Sequence, residues 1–277
     1  MASELRKRTI SAIVMAAVTL AATWYGGAPF RFFAAGMSVL IYYEWSKMAR
    51  LPEIDLRGDA FGWVAVVCIA ANLAFGDVGL GAPLLGGFTI TALLLKFMRR
   101  GSGWMPGGVL YAGLSGISLA AIRGDDQFGF MATLFLFAVV WGTDILAYFF
   151  GRSIGGPKLA PRISPGKTWS GALGGTVSGV LLGSLIVFAF FPQVSLRSVF
   201  LALVLSVASQ IGDLFESFIK RRFGVKDSSH LIPGHGGVMD RVDGLVFACF
   251  AAFLLAMGYA AWTGYGETSV AGFLFGL

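Results

Sequence analysis

The residues with the richest chemistry lie together at positions 217–244, which read SFIKRRFGVKDSSHLIPGHGGVMDRVDG. The segment holds Lys220, Arg221, Arg222, Lys226 and Arg241, the acids Asp227, Asp240 and Asp243, and both histidines of the chain, His230 and His235. A basic loop at a membrane surface needs no more than anionic headgroups to explain it, and that accounts for Lys220 to Arg222. It does not account for the acid-rich end at 240–243. Phosphate chemistry explains both signs, because Lys and Arg neutralise phosphate oxygens while carboxylates hold Mg²⁺. Asp240 and Asp243, three apart, share one face if helical, and Asp213 comes from the preceding apolar segment. These three carboxylates are the expected ligands of one or two hard cations. Pro233, Gly234, Gly236 and Gly237 supply tight turns and close backbone approach, which points to His235 as a phosphate contact. His230 is read as an ordinary loop residue.

A second Gly-rich basic loop, GRSIGGPKLAPRISPGKTWSG, covers 151–171. Gly166-Lys167-Thr168 suggests a Walker loop, but position 161, where its first glycine belongs, is Pro161, and no strand precedes it. A phosphate-binding loop before a helix N-terminus remains, with Lys167 as donor. Asp144, Asp213 and Glu216 fall inside apolar runs, where a carboxylate is costly unless it faces a cavity, partner or metal. At about 100° per residue, Ser206, Gln210, Asp213, Ser217 and Lys220 form one polar stripe, with Ser209 and Glu216 at its edges. That stripe predicts the wall of a hydrophilic pocket. Glu44, beside Trp45, is read as an interfacial or structural acid.

The elements that must position these groups are membrane helices. Of 277 residues, 56% are hydrophobic and 13% charged, against about a quarter charged in soluble domains. Mean hydropathy is +0.76. Apolar runs predict an all-α, polytopic membrane protein with about nine spans near 10–25, 29–47, 60–76, 80–98, 107–122, 128–150, 169–191, 198–219 and 243–263. Arg6, Lys7 and Arg8 resemble a signal-peptide start, but no clear cleavage site follows, so the first helix is expected to be retained. With the N-terminus cytoplasmic, 18 of the 21 Lys and Arg residues collect on that side, with only Arg31, Arg123 and Arg197 opposite. Loops 151–168 and 220–242 then face the cytoplasm. The net charge of +6 is thereby a matter of topology, and no nucleic-acid partner is expected. The division expected is an N-terminal helical region, 1–127, and a C-terminal catalytic region, 128–277. Gly171, Gly175, Gly179 and Gly183 form a small-residue face for close helix packing, within the chain or across a homodimer. Cys68 and Cys249 lie in apolar runs and read as small hydrophobes.

The order Ser217, Lys220-Arg221, Lys226-Asp227, Pro233, His235-Gly236-Gly237, Asp240-Arg241-x-Asp243 resembles the signature of the phosphatidate cytidylyltransferases (CDP-diacylglycerol synthases). The Gln210 to Ser217 segment and Asp144 through Arg152 are similar to that family too, so the likeness runs over about the last 140 residues. Two positions depart from it: Gly166 and Ser170 stand where the family usually has Lys and Glu. The resemblance implies a Mg²⁺-dependent transferase of phospholipid biosynthesis in the inner membrane, moving CMP from CTP to phosphatidic acid. It implies metal on Asp213, Asp240 and Asp243, and phosphates on Lys220, Arg221, Lys226 and Arg241, with Lys167 assisting. Asp144 is assigned to orienting a basic residue or metal-bound water, and Glu216 and Ser217 support the site. The competing readings are another lipid nucleotidyl- or phosphotransferase, and a cation-coupled transporter using its intramembrane acids.

Overall fold

The computed structural model describes residues 2–191, 194–264 and 269–276. Every expected apolar run lies on a long helix: α1 (Ala2–Tyr25), α2 (Gly27–Met48), α4 (Leu56–Phe75), α5 (Gly81–Arg99), α6 (Trp104–Arg123), α7 (Gln127–Ile154), α8 (Trp169–Phe190), α9 (Leu196–Arg222) and α10 (Met239–Thr263). The short helices α3 (Leu51–Ile54) and α11 (Val270–Phe275) complete the set. Several helices run beyond their apolar core because polar residues close their ends. Asp55, Asp126 and Thr168 cap α4, α7 and α8 by accepting from the N–H groups of Gly58, Gly129 and Gly171 at 3.0, 2.7 and 3.1 Å. Among the described residues eight helices are long and apolar enough to cross a membrane. The long helix outside that group is α2, whose Arg31, Glu44 and Lys47 lower its hydropathy. Between the expected runs 169–191 and 198–219, positions 192 and 193 lie outside the described residues.

The chain forms two compact units, Met1–Ala120 with Arg222–Arg241, and Ala121–Arg221 with Val242–Leu277. The segment 222–241 groups with the N-terminal helices in the first unit. In the first unit α2 is central, and Phe30, Ile41 and Tyr42 on it are fully buried. Trp45 stacks on Tyr111 with centroids 5.4 Å apart and donates Nε1–H to the Trp104 carbonyl at 2.8 Å. Trp104 then meets Phe223 edge-on at 4.9 Å, which ties the start of the 222–241 segment to α6.

In the second unit the glycine face of α8 packs on α7. A Cβ at Gly175 would lie 2.6 Å from the Thr143 carbonyl oxygen, and one at Gly183 would lie 2.5 Å from Val139 Cγ2. The partner of the small-residue face is thus within the same chain. The opposite face, with Leu173, Val177, Leu181, Leu185 and Phe188, is exposed and suits acyl chains. Gly212 does for α9 and α10 what Gly175 does for α8. Its missing side chain would meet the Asp243 carbonyl oxygen at 2.5 Å, so the helices bearing Asp213 and Asp243 approach backbone to backbone.

Candidate active site

The loop of the first unit is built around two carboxylates. Glu44 is completely buried and accepts four hydrogen bonds: from Ser228 Oγ at 3.0 Å, Ser229 Oγ at 2.6 Å, and the N–H groups of Val238 and Met239, both at 2.7 Å. Those amides begin α10, whose first N–H groups have no partner within the helix. A carboxylate there satisfies donors and complements the positive helix end. Glu44 is therefore structural, and it shapes the loop rather than marking a membrane interface. Asp240 Oδ2 accepts from Ser228 N at 2.9 Å, Ser228 Oγ at 2.9 Å and Gly237 N at 2.8 Å. Gly237 is the position where this crowding forbids a side chain, since a Cβ would sit 2.6 Å from Glu44 Oε1.

Between these anchors the chain turns tightly. Ile232 N donates to the Gly236 carbonyl at 2.8 Å and His235 N to the Ile232 carbonyl at 2.9 Å, with Gly234 and Gly236 at φ 76° and 85°. The turn borders a cavity of about 840 Å³. Lys226, Arg241 and His235, three of the expected phosphate contacts, line it together. So do His230, expected as an ordinary loop residue, and Arg8 of α1. Spacing could not reveal either: His230 has no motif around it, and Arg8 sits in a basic cluster already explained by topology.

In the second unit, a cavity of about 590 Å³ is lined by Asp144, Asp213, Lys167, Arg152, Lys158 and Gln210, among others. The polar stripe of α9 does form part of a pocket wall. Lys167 pairs with Asp213, and Ser217 Oγ donates to Asp213 Oδ1 at 3.4 Å. The loop carrying Lys167 is a small antiparallel hairpin, β1 (Lys158–Ala160) with β2 (Ser164–Thr168), leading into α8. Gly166 opens onto the cavity, with nothing within 4 Å of where a Cβ would stand, and Ser170 Oγ donates to the Gly155 carbonyl. Glu216 is buried and accepts from Lys220 at 3.1 Å. Lys220 and the exposed Arg221 line neither cavity.

The acids Asp144, Asp213 and Asp243 feel one another's charge, and Asp243 Oδ1 accepts from Gly244 N at 2.8 Å. Their donor set is oxygen only, the chemistry that hard cations such as Mg²⁺ select. Among the described residues, no three Asp, Glu, His or Cys side chains stand gathered as a metal cluster. The donors fit the ion by type, with Lys167 as the countercharge on Asp213 in this geometry.

Long apolar helices carrying two cavities, each bordered by lysine, arginine and carboxylate, define a polytopic membrane protein with charged pockets. The chain belongs to the cytidylyltransferase family, whose profile matches residues 6–258. It is 45% identical to a phosphatidate cytidylyltransferase of Brucella abortus biovar 1 (strain 9-941), over 93% of this chain and 95% of the relative. Enzymes of the same name from Haemophilus influenzae and Bacillus subtilis (strain 168) are each 33% identical, covering 88% and 92% of this chain and 96% and 98% of their own. The likeness thus reaches through the N-terminal helices, well beyond the signature.

Proposed function

We propose that the chain is a phosphatidate cytidylyltransferase of phospholipid biosynthesis, transferring CMP from CTP to phosphatidic acid with release of pyrophosphate. The observation that carries this is the cavity of the 222–241 segment, where Lys226, Arg241 and His235 meet beside a loop pinned by Glu44 and Asp240. An oxygen of the lipid phosphate attacks the α-phosphorus of CTP, and the bond from that phosphorus to the bridging oxygen of pyrophosphate breaks. The nucleophile is already ionised, so no strong general base is required. The barrier is repulsion between anions and charge growing on the leaving group, which fixed cations counter by positioning and electrostatic stabilisation. Lys226 and Arg241 donate to the departing phosphates. Lys167 exchanges Asp213 for a substrate phosphate oxygen. Arg221, exposed at the end of α9, attracts the anionic substrates, and Lys220 would have to exchange Glu216 for a substrate phosphate.

Asp213 and Asp243, with Asp144 beside them, are the proposed holders of Mg²⁺. Such an ion, when bound, neutralises phosphate charge and polarises the phosphoryl oxygens. Asp240, expected as a further ligand, is read here chiefly as the organiser of its loop. The 18-to-3 division of basic residues supports a site on the cytoplasmic side of a bacterial inner membrane. A homodimer belongs to the same proposal, but the Gly171–Gly183 face is not its seam, because α7 occupies it.

The test uses purified protein, labelled CTP and phosphatidic acid in mixed micelles. CDP-diacylglycerol and pyrophosphate should form in equal amounts, stop on chelation by EDTA and resume on adding Mg²⁺. Lipid product with another nucleotide or a polyprenyl phosphate but none with CTP and phosphatidic acid would overturn the substrate assignment. Undiminished turnover in EDTA would overturn the metal.

A further inference from the structure

We propose that Arg8, on the first membrane helix, is a binding residue for the nucleotide's terminal phosphates, so that α1 forms one wall of the site. This inference rests on the cytidylyltransferase reading. Three cations, Arg8, Lys226 and Arg241, border the 840 Å³ cavity, against the single carboxylate of Asp227. Among the described residues none of the three cations has an ion-pair partner. Three unpaired like charges around one space repel one another, and an anion relieves that cost. His235 lines the same cavity, and its imidazole N–H is a donor suited to an anion held there.

Arg8 is held there by structure. A Cβ at Gly234 would lie 2.7 Å from Arg8 Cγ, so the arginine stem lies over the turn at its glycine. Ser11 Oγ donates to the Pro233 carbonyl at 3.0 Å. Arg8 and Ser11 are three apart on α1, hence on one face, and that face meets the loop. The cavity lining also selects between phosphate sources. Apart from Ile232 and Pro233 it is polar or glycine, which suits a hydrated polyphosphate. The cavity of the second unit carries Ala147, Tyr148, Leu159 and Ala172, apolar surface that an acyl chain can use.

The experiment titrates inorganic pyrophosphate, with Mg²⁺, into the full-length protein in detergent, and measures KM for CTP and for phosphatidic acid. Arg8→Gln should weaken pyrophosphate binding and raise the CTP KM by about tenfold, the scale of one charge-assisted hydrogen bond, with the phosphatidic acid KM within twofold. Arg8→Lys keeps the charge but loses the planar fork and should fall between. Ser11→Ala, which cuts the tie to Pro233 and leaves the charge, should bind pyrophosphate within twofold of wild type. On the unmutated protein, pyrophosphate should slow modification of Arg8 by phenylglyoxal, read by peptide mass spectrometry, which needs no variant to fold. Unchanged pyrophosphate affinity in Arg8→Gln, or no protection of Arg8, overturns the proposal. A rise in the phosphatidic acid KM alone overturns it in favour of the lipid phosphate. An equal loss in Ser11→Ala overturns it by making α1 a brace. Pyrophosphate binding needs no turnover, so Arg8-dependent binding in a protein inert to CTP and phosphatidic acid would sink the parent reading and spare this one.

Discussion

Glu44→Gln tests whether the loop is organised from α2. The substitution preserves shape and one carbonyl oxygen, but turns the other oxygen into an amide that donates. Glu44 Oε1 serves Ser229 Oγ and Val238 N, and Oε2 serves Ser228 Oγ and Met239 N. Whichever oxygen is replaced, a serine hydroxyl can rotate to accept, but a backbone N–H cannot. One amide at the start of α10 is then buried without an acceptor, at about 1–3 kcal/mol, and the remaining bonds lose their charge assistance, about 1 kcal/mol more. A local cost of about 2–4 kcal/mol falls on the segment 228–239, and each 1.4 kcal/mol is about a factor of ten in the ordered population. Hydrogen exchange of the Val238 and Met239 amides should accelerate by about 30-fold or more. The kcat/KM for CTP should drop by at least about tenfold, while α7 and α8 keep their protection. Exchange at 238 and 239 within threefold of wild type, with full activity, would refute the argument that this carboxylate holds the loop.

Asp240→Asn should lower kcat by about 100-fold or more in a protein that still inserts and folds, because Oδ2 gathers three donors and the charge is lost; a variant keeping a third of the activity contradicts it. Lys167→Gln should raise substrate KM by about tenfold with a melting temperature barely moved, since a partly exposed ion pair contributes about 0–1 kcal/mol. Gly175→Leu should lower the melting temperature in detergent without changing oligomer size, because its Cβ would already crowd the Thr143 carbonyl on α7 at a cost of about 1–3 kcal/mol or more. For topology, Ser228 is a poor reporter because it is buried against Glu44, whereas Leu231 is exposed. In a background without Cys68 and Cys249, a cysteine replacing Leu231 should resist an impermeant thiol reagent in intact cells, and one replacing the exposed Asp125 should react; the reverse pattern would invert the orientation.

The helices were legible because the bilayer makes two demands that composition records directly: long apolar runs, and basic residues on one side. The glycines at 171, 175, 179 and 183 announced close packing, but a small-residue face carries no address, and only the structure names α7 as its partner. Asp144 and Asp213 were legible as pocket residues because charge inside an apolar run needs a polar neighbour, whereas the pairing of Lys167 with Asp213 was not. The role of Glu44 was not. Its donors lie 184 to 195 residues away, they are backbone amides and serine hydroxyls with no distinctive spacing, and no local periodicity points across such a separation. Asp240 shows the complementary difficulty: a carboxylate at a helix start reads equally as metal ligand and as loop anchor, and the distances to Ser228 and Gly237 establish the second use.

The distance in sequence between Glu44 and Ser228 also sets a schedule for biosynthesis. The ribosome delivers residues in order, at about 5–20 per second. Glu44 emerges 184 residues before its first loop partner, so α2 is made roughly 10–40 s before the amides and hydroxyls that satisfy its carboxylate exist. During that interval the acid must remain wet or held by something else, since burial without donors is costly. The first helices therefore cannot close into their final packing as they are made. They must wait, loosely assembled, for the segment 222–241, so a late-made stretch of chain completes packing begun at α2.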